Sequence, residues 1–179
     1  MMKTSHETSL HAQVDKFIEI GRSIIFHPVY LRTRDFTHHD ETVFEHTLMV
    51  AFEAFRFAEK YALDIESITR GAILHDFFLY DWHKEGRRVK KPLFKKHGFT
   101  HARIAYENAK FYFPVNKKEK DVILKHMFPL TLKPPMYIES WAVNVIDDYV
   151  TYREYFKDRK ETHKLLFKKV YKTLKKEAR

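Results

Sequence analysis

A chain of 179 residues with 44% apolar and 16% aromatic side chains carries enough hydrophobic surface for a substantial core, which excludes disorder as its main state. It has no cysteine, so disulfides, thiolate metal sites and cysteine nucleophiles are excluded, and four glycines and six prolines are too few for a fold of many short strands. The net charge of +9 is concentrated in two stretches, 83–96 contributing +6 and 157–179 contributing +7, which leaves the remainder near −4.

Residues 1–13 are polar and lack the apolar centre of a signal peptide. No window is long and apolar enough to span a bilayer, so a soluble cytoplasmic protein without a membrane span is expected. A first helix is predicted around 14–26. From 42 to 62, Phe44, Leu48, Phe52 and Phe55 recur at three- and four-residue steps, the stripe of an amphipathic helix. Just ahead of it, Asp40 in the polar run His39-Asp40 reads as an N-cap. Asp64 is expected to cap the next helix, on which Ile68 and Ala72 share the face that leads to His75. Thr100 is expected to cap a helix that Pro114 stops. Asn116 and Glu119 form a capping-box signature, opening a helix that reaches His126. A long helix follows over 138–156, with Trp141, Val145, Tyr149, Tyr152 and Phe156 read as its inner side. The last helix, from about 160, sets Phe167, Val170 and Leu174 against a lysine background, read as one apolar stripe packing on the bundle. Two long connections, 80–99 and 129–137, have the character of lids or binding loops. No strand pairs or repeats are evident, and the expected architecture is all-α, a single compact helical bundle spanning 1–179.

The chemistry-bearing residues form an ordered set along these helices. Ala-Ile-Leu-His-Asp (72–76) puts His75 and Asp76 at an apolar helix end, where both can reach one ion. Buried imidazole and carboxylate are costly without a partner, and a cation is the simplest one. His46 sits one turn into its helix. Asp147 lies in Asn-Val-Ile-Asp-Asp-Tyr-Val, an apolar stretch where an ionised carboxylate needs a cation or several donors. Its neighbour Asp148 points about 100° away and is read as a surface or pairing residue. Two histidines and two aspartates make a nitrogen–oxygen donor set suited to Mn, Fe, Zn, Ni, Co or Mg. His101 and His126 are candidates for a second ion with Asp76 bridging, and His97 competes with His101 for that place.

This pattern resembles the HD-domain superfamily of metal-dependent phosphohydrolases over about residues 40–156. The carriers are Val-Phe-Glu-His-Thr-Leu-Met-Val-Ala (43–51), Ala-Ile-Leu-His-Asp (72–76) and Val-Ile-Asp-Asp-Tyr (145–149). The resemblance implies a helical bundle holding one or two divalent transition metals. His46, His75, Asp76 and Asp147 would be the core ligands, with His101 and His126 matching the extra histidines of multi-metal members. This chain has Asp148 where the family often has Lys. It also lacks both the basic residue that often follows the His-Asp pair and the Gly-Tyr-Pro segment of the cyclic-dinucleotide branch, which argues against that substrate.

The activity implied is hydrolysis of a phosphoester or phosphoanhydride of a nucleotide or similar small phosphorylated metabolite, with Asp76 as the catalytic residue that anchors metal and orients water. Lys84, Arg87, Arg88, Lys90, Lys91, Lys95 and Lys96 are candidates to neutralise substrate phosphates. The alternative is a non-catalytic, metal-containing scaffold that binds nucleotide or, less favoured, nucleic acid. Oxygenase chemistry at a di-iron version of the site is a third and remoter reading.

Overall fold

Side-chain caps open four of the helices among the described residues, at His27, Thr42, Asp64 and Asn116. The computed structural model describes the backbone of residues 2–38, 41–80, 97–155 and 161–177, and the side chains of 9–36, 41–80, 100–153 and 161–177. Helix α1 covers Met2–Ile25 and the short α2 covers Pro28–Leu31. A 3-10 turn, Arg32–Asp35, leads into a two-residue antiparallel ribbon in which Thr37 pairs with Thr42 and His38 with Glu41. Helix α3 (Val43–Tyr61) starts on the Thr42 side chain, which accepts from the Glu45 N–H and satisfies a donor that the helix cannot. It ends at Ala62, in the left-handed region at φ 54°, where the chain turns back and the Leu63 N–H reaches the Ala58 carbonyl.

Helix α4 (Ile65–Leu74) is capped by Asp64, whose carboxylate accepts from the backbone and hydroxyl of Ser67. Next come α5 (His97–Tyr112) and α6 (Lys117–Lys125), the latter opened by the Asn116/Glu119 capping box. The chain closes with α7 (Ile138–Tyr155) and α8 (Glu161–Glu177). The fold is all-α, and the ribbon is the only β structure among the described residues.

Some expectations need correction. The ribbon before α3 is a strand pair that no alternation announces, because two residues per strand are too few to show a period. Thr42 caps α3, and Asp40 lies outside the described residues. Helix α5 begins at His97, so Thr100 stands inside it rather than at its cap. Helix α1 starts about a dozen residues earlier than its apolar stripe suggests.

The largest correction concerns α7. Trp141, Val145, Tyr149 and Tyr152, expected on the inner side, are exposed by 41, 63, 47 and 64%; Phe156 lies outside the described residues. The buried side is Ser140, Val143, Asn144, Asp147 and Val150. The helical period is present, but the more polar face turns inward.

One core joins Val14, Phe17 and Ile24 of α1 to Leu48, Phe52 and Phe55 of α3, Ile68 and Ile73 of α4, Val122 of α6, and Leu166 and Val170 of α8. Helix α3 lies against α4 and α7, and α4 also packs on α1 and α6. The α4–α6 approach is close because position 71 is glycine. A Cβ there would meet the Cβ of Val122 at 3.0 Å and its methyls at 3.1 and 3.2 Å.

Candidate metal centre

Five helices deliver six buried ionisable side chains to one place. His46 comes from the first turn of α3, His101 from α5 and Asp147 from the middle of α7. His75 is the C-cap of α4, with Asp76 the next residue, and His126 is the C-cap of α6. Since α4 and α6 approach closely at Gly71 and Val122, their ends lie side by side. The rings of His75 and His126 are 4.8 Å apart, edge to face.

Two groups of donor atoms result. In the first, His46 Nε2 is 3.0 Å from Asp147 Oδ1, and His75 Nε2 lies 3.7 Å from the same oxygen and 3.8 Å from Asp76 Oδ2. In the second, His101 Nε2 is 2.9 Å from His126 Nε2, and the two are 3.3 and 3.5 Å from Asp76 Oδ1. The two oxygens of Asp76 thus face different groups. His75 Nδ1 donates to the Ala72 carbonyl at 2.7 Å and His126 Nδ1 to the Ile123 carbonyl at 2.8 Å. Those bonds place a proton on Nδ1 of each ring and turn each Nε2 toward the centre, where His75 Nε2, without a hydrogen-bond partner, presents its lone pair.

This donor set fits a divalent cation. His75 Nε2 is fully buried and has no hydrogen-bond partner, a costly condition for a polar atom. Ligands bound at about 2.0–2.2 Å to one ion sit roughly 3–4 Å from each other, the spacing found within both groups. All the donors are nitrogen or oxygen, suited to borderline or hard divalent metals.

The electrostatics agree. Burial holds the His75 imidazole below its ordinary value, against the opposing pull of Asp76 and Asp147, so it stays neutral. Burial alone would raise Asp147, but His75, His46 and His126 hold its carboxyl below the usual carboxylate range. Asp76 is held well below that range, its burial outweighed by His101, His75 and His126. For His126 the burial effect is outweighed by the hydrogen bond and charge of Asp76, and its value rises. Two buried carboxylates are therefore held anionic, with the His75 imidazole neutral and His126 drawn toward its charged form.

Asn144, one turn before Asp147, donates to the carbonyl of His126 and, at 2.8 Å, to that of Phe128. Sequence reasoning passed over it. The available signal was a poor helix former in the interior of a helix, three residues from a candidate ligand. Asp148 is exposed, and its carboxyl is raised by partial burial and by the neighbouring charge of Asp147. His97 opens α5, but its side chain, like the basic residues of 81–96, His38 and His39, lies outside what the structure describes.

The order His46, His75-Asp76, Asp147 on this bundle can be compared with known proteins. A family profile described as the HD domain matches residues 43–152, more than half of the chain. The chain belongs to the HD domain family. HD domain proteins are generally metal-dependent hydrolases, and the buried histidine–aspartate cluster of this one is compatible with metal binding. No curated protein and no solved structure matches it. The HD match runs from the first residue of α3 into α7 and takes in all six side chains of the centre, while α1, α2 and α8 lie outside it.

Proposed function

We propose that the protein is a metal-dependent phosphohydrolase that cleaves a phosphoester or phosphoanhydride of a nucleotide or similar small phosphorylated metabolite. His46, His75, Asp76 and Asp147 hold one divalent ion; His101 and His126 hold a second, with Asp76 bridging. The observation that carries this reading is the buried Nε2 of His75, lacking a hydrogen bond and facing two carboxylates at 3.7 and 3.8 Å. Divalent ions held there supply polarisation of phosphoryl oxygens and activation of water near neutral pH. The carbonyls of Ala72 and Ile123 fix the tautomers of His75 and His126. Asp76 keeps both groups in register through its two oxygens and serves as the catalytic carboxylate that orients water.

Purified protein is expected to contain Mn, Fe, Zn, Ni or Co, and His75→Ala with Asp76→Ala to lose it. Hydrolysis of a nucleotide or phosphodiester panel, supplied with Mn, Ni or Co, should fall at least about 100-fold in the double variant. Unchanged metal content in that variant defeats the site assignment.

A second reading, a metal-containing scaffold that binds nucleic acid, is favoured by one observation. Lys168, Lys172, Lys175 and Lys176 are exposed along α8, and none is in an ion pair among the described residues. Intact metal content with no hydrolysis anywhere on the panel, together with salt-sensitive nucleic-acid binding, would favour it over the enzyme.

A further inference from the structure

Trp141, one turn into α7, is an aromatic with no part in the metal chemistry. It is 41% exposed, and the ring of Phe128 meets it with centroids 5.3 Å apart and planes 76° from parallel. Phe128 is the only ring against the indole among the described residues, and one T-shaped contact takes at most one of its faces. A lone exposed aromatic is ordinary. This one is tied to the candidate ligands. Phe128 lies two residues past His126, and Asn144, one turn beyond Trp141, donates to the carbonyls of both. Of the six donor side chains, Asp147 is the most open to solvent, at 12%, and the other five are at 5% or less. The centre is thus most open at α7. At 3.6 residues per turn, Asn144 stands about 60° and Trp141 about 120° from Asp147, on the same side. The rise from Trp141 to Asp147 is about 9 Å along the helix axis.

We propose that the Trp141 indole is the platform on which the base of a nucleotide substrate stacks, which makes Trp141 a specificity-determining residue. The inference rests on the reading above in one respect, that the substrate phosphate sits at the metal centre. Three points favour a base over a phosphorylated metabolite without a ring. A sugar and a phosphate cover a span of the same order as the rise from Asp147 to Trp141. Stacking needs only an open π-face, and the half-exposed indole offers one. The edge of Phe128 also holds the indole in place, so little side-chain freedom is lost when a base arrives. Every base has a π-face, so this contact separates nucleotides from base-free phosphates without choosing strongly among bases.

Calorimetric titration of the metal-loaded full chain tests the proposal. The probes are the phosphonate analogues of adenosine 5′-monophosphate and of ribose 5-phosphate, which resist hydrolysis and differ by the base. Wild-type protein should bind the adenosine compound about 10-fold tighter or more. Trp141→Ala should bring that ratio close to one, and Trp141→Phe should keep most of it. A second measurement does not depend on the folding of the alanine variant. Trp82 and Trp141 are the only tryptophans, so in Trp82→Phe protein the indole fluorescence reports on position 141. It should be quenched by the adenosine phosphonate and not by the ribose one. Equal wild-type affinity for the two probes overturns the proposal, as does a ratio that survives Trp141→Ala, or quenching that is absent or the same with both. Base-dependent binding without hydrolysis of any phosphate ester defeats the phosphohydrolase reading and leaves the platform standing; hydrolysis with base-independent binding does the reverse.

Discussion

Asn144 donates its two amide hydrogens to the carbonyl of His126, the C-cap of α6, and to that of Phe128 in the turn beyond it. The turn that carries His126 is thereby tied to the helix that carries Asp147. Asn144→Ala would leave two acceptors without this donor, at a cost of about 1–3 kcal/mol, and would free His126 to shift. Metal analysis of that variant is expected to show loss confined to the His101–His126 group, with a melting temperature lowered by several degrees; unchanged metal content and stability would contradict the role. The ionisable residues were legible at this scale because histidine and aspartate in apolar helical stretches demand a partner. Asn144 was not, since a neutral amide makes no such demand and its acceptors are backbone atoms twenty or fewer residues away in sequence but in another element.

Helices meet through polar ties as well as through the core. Lys118 on α6 reaches Asp64 at the cap of α4 at 3.1 Å and Glu139 on α7 at 2.8 Å. Burial would raise both carboxyls, but the Ser67 and Lys118 donors hold Asp64 low, and Lys118 and backbone donors hold Glu139 low. The contribution of depressed carboxyls is present above about pH 4, their unfolded value, and is lost as pH falls through the folded values. Lys118 is shifted upward by Glu139 and Asp64, so its part persists up to about pH 10 and is lost above it. Lys118→Met should therefore lower stability by about 1 kcal/mol or less near neutrality and flatten its decline below pH 4, as read by denaturant titration across pH. Element positions were legible because Asp64, Asn116 and Glu119 are side chains of known capping use. The facing of α7 was not. Its strongest apolar stripe points outward, and hydrophobic period alone does not say which face of a helix is buried.

At the scale of the whole molecule, the family match ends where the core does not. Leu166, Phe167 and Val170 of α8 are buried in the same cluster as Phe17 of α1 and Phe44 of α3. Removing residues 157–179 would expose that surface, at about 2 kcal/mol for each large side chain, a sum comparable with the stability of a typical domain. Such a truncated protein is expected to lose its cooperative thermal transition by circular dichroism, and a sharp melt near that of the full chain would refute this. The all-α class was legible from composition and period, and so was the packing of α8, since Phe167, Val170 and Leu174 stand out as an apolar stripe against its lysine background. The way the helices arrive has its own consequence. Helices α4 and α6 present carbonyl ends at His75 and His126, while His46 and His101 ride near the amide ends of α3 and α5. Peptide dipoles thus lend partial negative charge on the side of His75 and His126 and partial positive charge on the side of His46 and His101. That polarity belongs to the main chain, so a variant missing one imidazole still inherits it.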